Sequence, residues 1–261
     1  MSKRIIIGYK NLKTIYIAGI VGVSTIFFIS VINFGIKWSE AAGSFNLRER
    51  DVRGEKIIGK DEVHALADLP LAKSLNEINL KKIQERIEEH SYIRAARVSR
   101  RFPNKIVIDI IEREPLAYIN LPSPSFLLVD EQGFVMPLRH GDMEFEVPTL
   151  TGFNIDPELY PIGSKCLSLK TIEAIEYLKN LRELFPSLFN NLSELTVDKN
   201  DEYVMVLSEY PTRIHLGQSN ILDQLALLKN FNDTILGLKS LNNYTYVDLR
   251  YKNQIIVREK T

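Results

Sequence analysis

The chain has 261 residues, with 33 basic and 33 acidic side chains and a formal net charge of zero. That balance argues against a dedicated nucleic-acid binder, which needs excess basic charge to neutralise phosphates. The only cysteine, Cys166, allows neither an internal disulfide nor a thiolate metal cage. The first predicted element is a membrane helix. From Thr14 to Ile36 the chain runs 23 residues without a charge, about 35 Å of helix against a hydrocarbon core of about 30 Å. Lys3, Arg4, Lys10 and Lys13 precede it with no acid among them, which places this arm in the cytoplasm and the rest outside. Tyr16 and Trp38 lie near its two ends, where amphipathic rings favour the interface. The small residues of "SEAAGS" also suit a cleaved signal peptide, but the apolar run exceeds the usual signal length of about 7–15 residues.

The first outer unit is expected to read strand, helix, helix, strand, strand. "FNLRERDVRG" starts a strand, and "GKDEVHALADL" is a short helix with Asp61 as candidate cap. "NLKKIQERIEEH" is a clearer helix, capped by Asn79, with Leu80, Ile83 and Ile87 on one stripe. "IRAARVSRR" and "KIVIDIIER" flank a turn at Phe102-Pro103-Asn104. Ile106, Ile108 and Ile110 are expected to face the helices, with Lys105, Val107, Asp109 and Ile111 on the more exposed face; Pro115 is expected to stop the strand. Arg97, Arg100 and Arg101 form a candidate basic patch, either a solvated sheet face or a surface for an acidic partner or anionic headgroups.

The second outer unit carries a hairpin around Asp130-Glu131-Gln132-Gly133, then a short extended piece from Val147 to Gly152. A helix follows with Ile172, Ile175, Leu178, Leu181 and Leu184 at helical spacing, ended by Pro186. Three strand candidates, a helix "NILDQLALLKNF" with Asn220 as candidate cap, and the strands "YTYVDLR" and "NQIIVRE" complete it. Strands dominate and two helices lie on them, an α+β unit with a mainly antiparallel sheet. The last strand, Asn253 to Glu259, has no later segment to pair with its outer side, and Ile255 and Val257 share one face with Asn253. An open edge of that kind suits strand addition by a partner.

No nucleophile elbow, paired-histidine zinc motif or Gly-rich phosphate loop occurs. His64, His90, His140 and His215 are scattered, Asp130 sits at a hairpin turn, and Asp248 with Arg250 reads as a structural pair or a sheet face. The expectation is therefore an interaction protein with no catalytic residue, cofactor or metal. Two rivals are weaker. An outer-membrane assembly or secretion component needs a barrel of many alternating segments, for which too few residues follow Pro115. A membrane-anchored envelope hydrolase needs a catalytic constellation.

The order of the membrane helix, "LNEINLKKIQERIEEHSYIRAARVSRRFPNKIVIDIIEREPLA", "LLVDEQGFVM", "VPTLTG", "RIHLG" and "YVDLRYKNQIIVR" resembles the FtsQ/DivIB family of cell division proteins. The resemblance implies a POTRA module followed by the family's β domain. The expected boundaries are 1–13 cytoplasmic arm, 14–36 membrane helix, 37–44 linker, 45–116 POTRA, 117–258 β domain and 259–261 tail. It implies a non-enzymatic, single-pass scaffold at the division site of the bacterial inner membrane. Its partners would be the coiled-coil division proteins FtsB (DivIC) and FtsL, and it would link ring assembly to septal peptidoglycan synthesis. The family's contact positions carry over to Arg250, Tyr251, Asn253, Ile255 and Val257. Gln254, Ile255, Ile256 and Arg258 stand where better-known members have small residues, so the partner's side chains must differ.

Overall fold

The computed structural model describes residues 9–122, 126–139, 144–218, 221–252 and 254–260; His140, Asn220 and Asn253 lie outside them. The chain groups into two compact units: Met1–Gly54, Gly59–Glu85 and Ala96–Asp109 form the first, and Glu55–Ile58, Arg86–Ala95 and Ile110–Thr261 the second.

The first unit begins with helix α1 (Tyr9–Ala41), within which Thr14–Ser39 is long and apolar enough to cross a membrane. The helix ends through Gly43, whose φ of 67° takes the left-handed conformation that glycine adopts freely, while the Ser44 amide donates to the Ser39 carbonyl at 3.1 Å. Strand β1 (Glu49–Arg53), helices α2 (Lys60–Ala67) and α3 (Leu80–Glu88), and strands β2 (Ile93–Arg101) and β3 (Lys105–Glu112) follow in the expected order. The sheet runs β1-β3-β2, and β1 is parallel to β3 with Val52 opposite Ile108. Asn79 caps α3 by accepting the Lys82 amide at 3.1 Å. Asp61 does not cap α2; the cap position is Gly59, and Asp61 lies in the first turn, where a negative charge still meets the positive end of the helix dipole. Val107 is as buried as Ile106 and Ile108, so the outer sheet face is less open than strict alternation implies. That face mixes its charges: Asp51 accepts from Lys105 at 3.3 Å and from Arg53 at 3.0 Å.

The second unit holds strands β4 (Pro115–Asn120), β5 (Phe126–Asp130), β6 (Val135–Pro137) and β7 (Thr149–Thr151), helices α4 (Leu169–Leu184) and α5 (Pro186–Asn190), and strands β8 (Leu192–Val197), β9 (Tyr203–Leu207) and β10 (Arg213–Gly217). Helix α6 (Ile221–Ile235) and strands β11 (Tyr244–Asp248) and β12 (Ile256–Glu259) complete it. Among the described residues the sheet order is β12-β11-β10-β9-β8-β7-β4-β5-β6. Pairing is mostly antiparallel; β4–β7, β7–β8 and β10–β11 are parallel. The α4 stripe buries Ala174, Ile175, Leu178 and Leu181 against this sheet, while Ile172 and Leu184 stay exposed.

Pro115 does not merely stop a strand. It is the first residue of β4, where its missing donor costs no internal ladder bond. The two carboxylates that end β3 and β5 fix the start of this unit. Glu112 accepts the amides of Lys56, Ile57 and Ile58 at 3.1, 2.7 and 3.0 Å. Asp130 takes the Arg113 guanidinium at 2.8 Å and the amides of Gln132 and Phe134 at 2.9 and 2.8 Å, and Arg113 stacks on the Phe134 ring. Both partners of that ion pair are buried, with side chains 8% and 4% exposed.

Candidate functional site: the β12 edge

An edge strand carries a row of backbone groups that its own sheet cannot use. The nine-stranded sheet has two edges, and they are finished differently. At β6 the Val135 amide donates to the Ser164 carbonyl at 2.9 Å, the Gly163 amide donates to the Val135 carbonyl at 2.8 Å, and the Tyr92 hydroxyl donates to the Pro137 carbonyl at 2.6 Å. Among the described residues the only strand partner of β12 is β11, with Tyr246 opposite Arg258, Val247 opposite Val257 and Asp248 opposite Ile256.

Which amides of β12 face outward follows from two bonds. The Lys260 amide donates to the Asn243 carbonyl at 3.0 Å, and the Thr245 hydroxyl donates to the Arg258 carbonyl at 3.2 Å. Both residues therefore turn their backbone groups toward β11. Amide and carbonyl directions alternate along a strand, so Ile256 also points inward while Val257 and Glu259 point outward. An irregularity between Tyr244 and Tyr246 lies on β11 and leaves this alternation intact.

Opposed side chains share a face. Val247 is fully buried in the core, so Val257 lies at the rim of the core face, and half-buried Ile255 packs against the same cluster. Ile256 and Arg258 lie on the other face, beside Asp248 and Tyr246. Ile256 and Val257 are 45% and 36% exposed, so both faces of the edge present apolar surface. The far end of β12 is held by ion pairing of Glu259 with Lys239 and by Lys260, whose ammonium lies 3.7 Å over the Tyr210 ring.

A polar network anchors the start of the β11–β12 connection. Asp248 accepts from the Arg250 amide (3.0 Å), twice from its guanidinium (2.9 and 2.6 Å), and from the Tyr246 hydroxyl (2.6 Å). Glu202, at the start of β9, takes the remaining arm of Arg250 at 2.8 Å. Burial opposes the charge on Asp248, but the hydrogen bonds from Arg250 and Tyr246 outweigh it and hold its pKa well below the usual carboxylate range. Arg250 is correspondingly more firmly protonated, first through Asp248 and against its own partial burial. His215 packs on Tyr246, ring centroids 4.7 Å apart, and its buried Nδ1 has no partner among the described residues. Burial, then the Arg250 cation, lower its pKa.

The structure thus spreads the residues named from the sequence. Tyr251 is exposed in the turn, Ile255 precedes the strand, Val257 is in it, and Arg250 is tied to two carboxylates. Asn253 lies outside the described residues, and the strand starts at Ile256 rather than at Asn253, because the Gln254 amide closes a turn onto the Tyr251 carbonyl at 3.2 Å. Glu202, Tyr246 and His215 were not singled out as site residues; they come from three different strands or strand ends, and no local motif joins them. The three arginines of the basic hairpin also divide. The Arg100 guanidinium donates to the carbonyls of Leu75 and Ile78, both at 2.7 Å, and so ties the short helical turn 75–77 to β2, whereas Arg97 and Arg101 are exposed.

Sequence comparisons agree with this layout. Residues 45–113 match the family model described as POTRA domain, FtsQ-type, and residues 114–257 the one described as FtsQ/DivIB, C-terminal related. The chain belongs to the FtsQ/DivIB family of cell division proteins. It is 28% identical to the cell division protein FtsQ of Geotalea daltonii, over 97% of this chain and 90% of that protein. It is also 28% identical to FtsQ of Syntrophotalea carbinolica, over 84% and 75%, and 25% identical to DivIB of Clostridium tetani, over 82% and 79%.

Proposed function

We propose that this chain is a single-pass division scaffold whose β12 edge receives a strand from a coiled-coil partner of the FtsB/DivIC and FtsL kind. In this reading residues 1–13 are cytoplasmic, the outer units face away from the cytoplasm at the division site, and the protein couples ring assembly to septal peptidoglycan synthesis without catalysing a reaction. The basic arm before Thr14, family membership and the absence of a catalytic motif in the sequence support it.

The outward amides of Val257 and Glu259 carry the reading. A partner strand would bond to them and continue the sheet, placing alternate side chains beside Val257 on the core face and beside Ile256 and Arg258 on the other. Pre-set ladder geometry supplies affinity from backbone bonds, and the pockets beside these side chains supply specificity. Arg250 serves chiefly to hold the connection that launches β12, with Tyr251 free to touch the partner.

Proline separates the two sides of the strand. Val257→Pro removes an outward donor and keeps the β11 ladder, so capture of the coiled-coil partner should fall about 100-fold or more while the melting temperature stays near wild type. Ile256→Pro removes an inward donor and should loosen the hairpin itself. Wild-type capture by folded Val257→Pro protein would reject β12 as the docking edge.

A further inference from the structure

Three segments of the first unit converge just beyond the end of the membrane helix. The Leu47 amide donates to the Lys73 carbonyl at 2.9 Å, the Ala72 amide to the Leu47 carbonyl at 3.0 Å, and the Leu75 amide to the Phe45 carbonyl at 2.9 Å. The Arg48 amide donates to the Asn104 carbonyl at 2.9 Å, which brings in the β2–β3 turn, and the Phe45 and Phe102 rings meet edge to face at 5.8 Å. The segments read Phe45-Asn46-Leu47-Arg48, Pro70-Leu71-Ala72-Lys73 and Arg101-Phe102-Pro103-Asn104. They hold three basic residues and no acid. Phe102 at the turn tip is 60% exposed and Leu71 57%, large apolar side chains that folding leaves in water.

The chain itself limits where this surface can be. Five residues lie between Ser39, the end of the apolar span, and Phe45, so the two are at most about 20 Å apart even in fully extended chain. The backbone is more compact than that, because α1 continues to Ala41 and then turns tightly through Gly43. The headgroup zone on each side of the hydrocarbon is itself roughly 6 Å deep. Aromatic and aliphatic side chains ringed by cations are the composition that partitions into that zone when the lipid is anionic.

We propose that Phe102 and Leu71, with Arg48, Lys73 and Arg101, form a membrane-facing surface that docks the first unit onto the anionic headgroups of the bilayer α1 crosses. The proposal rests on α1 being a membrane span, and it gives the Arg-Phe-Pro turn a task distinct from the β12 edge. The docked turn would hold the first unit against the bilayer instead of leaving it free on its tether. The phosphates pair with the cations, and the Phe102 ring enters the interfacial layer beside Phe45. Arg97, midway along β2, takes no part.

The test uses the full-length protein reconstituted in vesicles of phosphatidylethanolamine and phosphatidylglycerol, about three to one, with and without lipids brominated near the headgroup end of the acyl chains. Trp38 is the chain's only tryptophan, so wild-type quenching reports the span itself. In the double variant W38F/F102W, bromolipid should quench emission about twofold, and replacing phosphatidylglycerol with phosphatidylcholine should relieve that quenching. Adding R48E, K73E and R101E to it should abolish the quenching while circular dichroism stays unchanged; Arg100 is spared because it holds the fold. Quenching of Trp38 without quenching at 102 would overturn the proposal and leave the span intact. It would also be overturned by charge reversal that leaves the quenching unchanged yet weakens capture of an acidic division protein.

Discussion

The two edges of the nine-stranded sheet differ in a way their lengths do not explain. β6 has three residues and β12 four, so both are short. Short edges are one common protection against unwanted pairing, yet among the described residues only β6 receives a further cover of loop and tyrosine bonds. In the proposed reading, a fold that closes one edge and leaves outward amides at the other concentrates recognition at a single place. Edge protection here is selective, and the exception is the informative part.

That contrast can be broken first at the closed end. Asp130→Ala should cost the most, about 3–5 kcal/mol, because it strands the buried Arg113 cation and frees the turn amides of Gln132 and Phe134. Thermal unfolding should move down by roughly 10 °C or more. Val135→Pro should cost about 3 kcal/mol by deleting the bond to Ser164 in a fully buried position, visible as a lower denaturation midpoint. Its counterpart at the open edge, Val257→Pro, should shift stability by less than about 1 kcal/mol while partner capture falls. Equal thermal losses at the two edges would remove the distinction between them.

The pH dependence of β10 and β11 sharpens the same comparison. His215 sits below its ordinary value of 6.5 in the fold, through burial first and Arg250 second, while Asp248, Asp198 and Glu202 pull the other way. As pH falls through 6.5 the unfolded chain takes up this proton before the folded one, so stability is lost below that point. Amide protection factors in β10 and β11, corrected for the intrinsic pH dependence of exchange, should fall as pH drops below about 6.5, and His215→Gln should flatten the response. Asp248 does not interfere there: its lowered pKa keeps it charged, and its contribution fades only in stronger acid. The smallest effect belongs to Glu202→Gln. Its pair with Arg250 is partly exposed, so stability should move by about 0.5 kcal/mol while partner affinity drops a few-fold, read by titration.

Local chemistry was legible in the sequence where a few adjacent residues decide the backbone. Phe102-Pro103-Asn104 turns the β2–β3 hairpin, Asp130 to Gly133 turns β5 into β6, and Asn79 caps α3. Features set by distant partners were not. β4 is hidden in the sequence because Pro115 looks like a stop until β5 and β7 are there to pair with it. The sequence pattern puts the start of β12 too early because Asn253 to Ile255 alternate like a strand, yet Ile255 is drawn to the core and Gln254 into a turn. Asp248 and Arg250 were legible as a pair, one residue apart on a strand end, while Glu202 joins them only through the fold.

Tyr92, whose hydroxyl covers the Pro137 carbonyl, lies in Arg86–Ala95, a segment that the family models assign to the POTRA stretch but that groups spatially with the second unit. Arg94 reaches Glu131 from the same segment, at 3.6 Å. Contacts in this chain therefore cross the family-model join near residue 113. A chimaera that grafts a relative's C-terminal half onto this N-terminal half would separate Tyr92 and Arg94 from the loops they bond in this chain, and would carry an imperfectly sealed β6. Recombination that carried residues 86–95 with the graft would keep these donors with their acceptors, but it would part β3 from β1 and Arg100 from Leu75 and Ile78, so no crossover between residues 86 and 109 is clean.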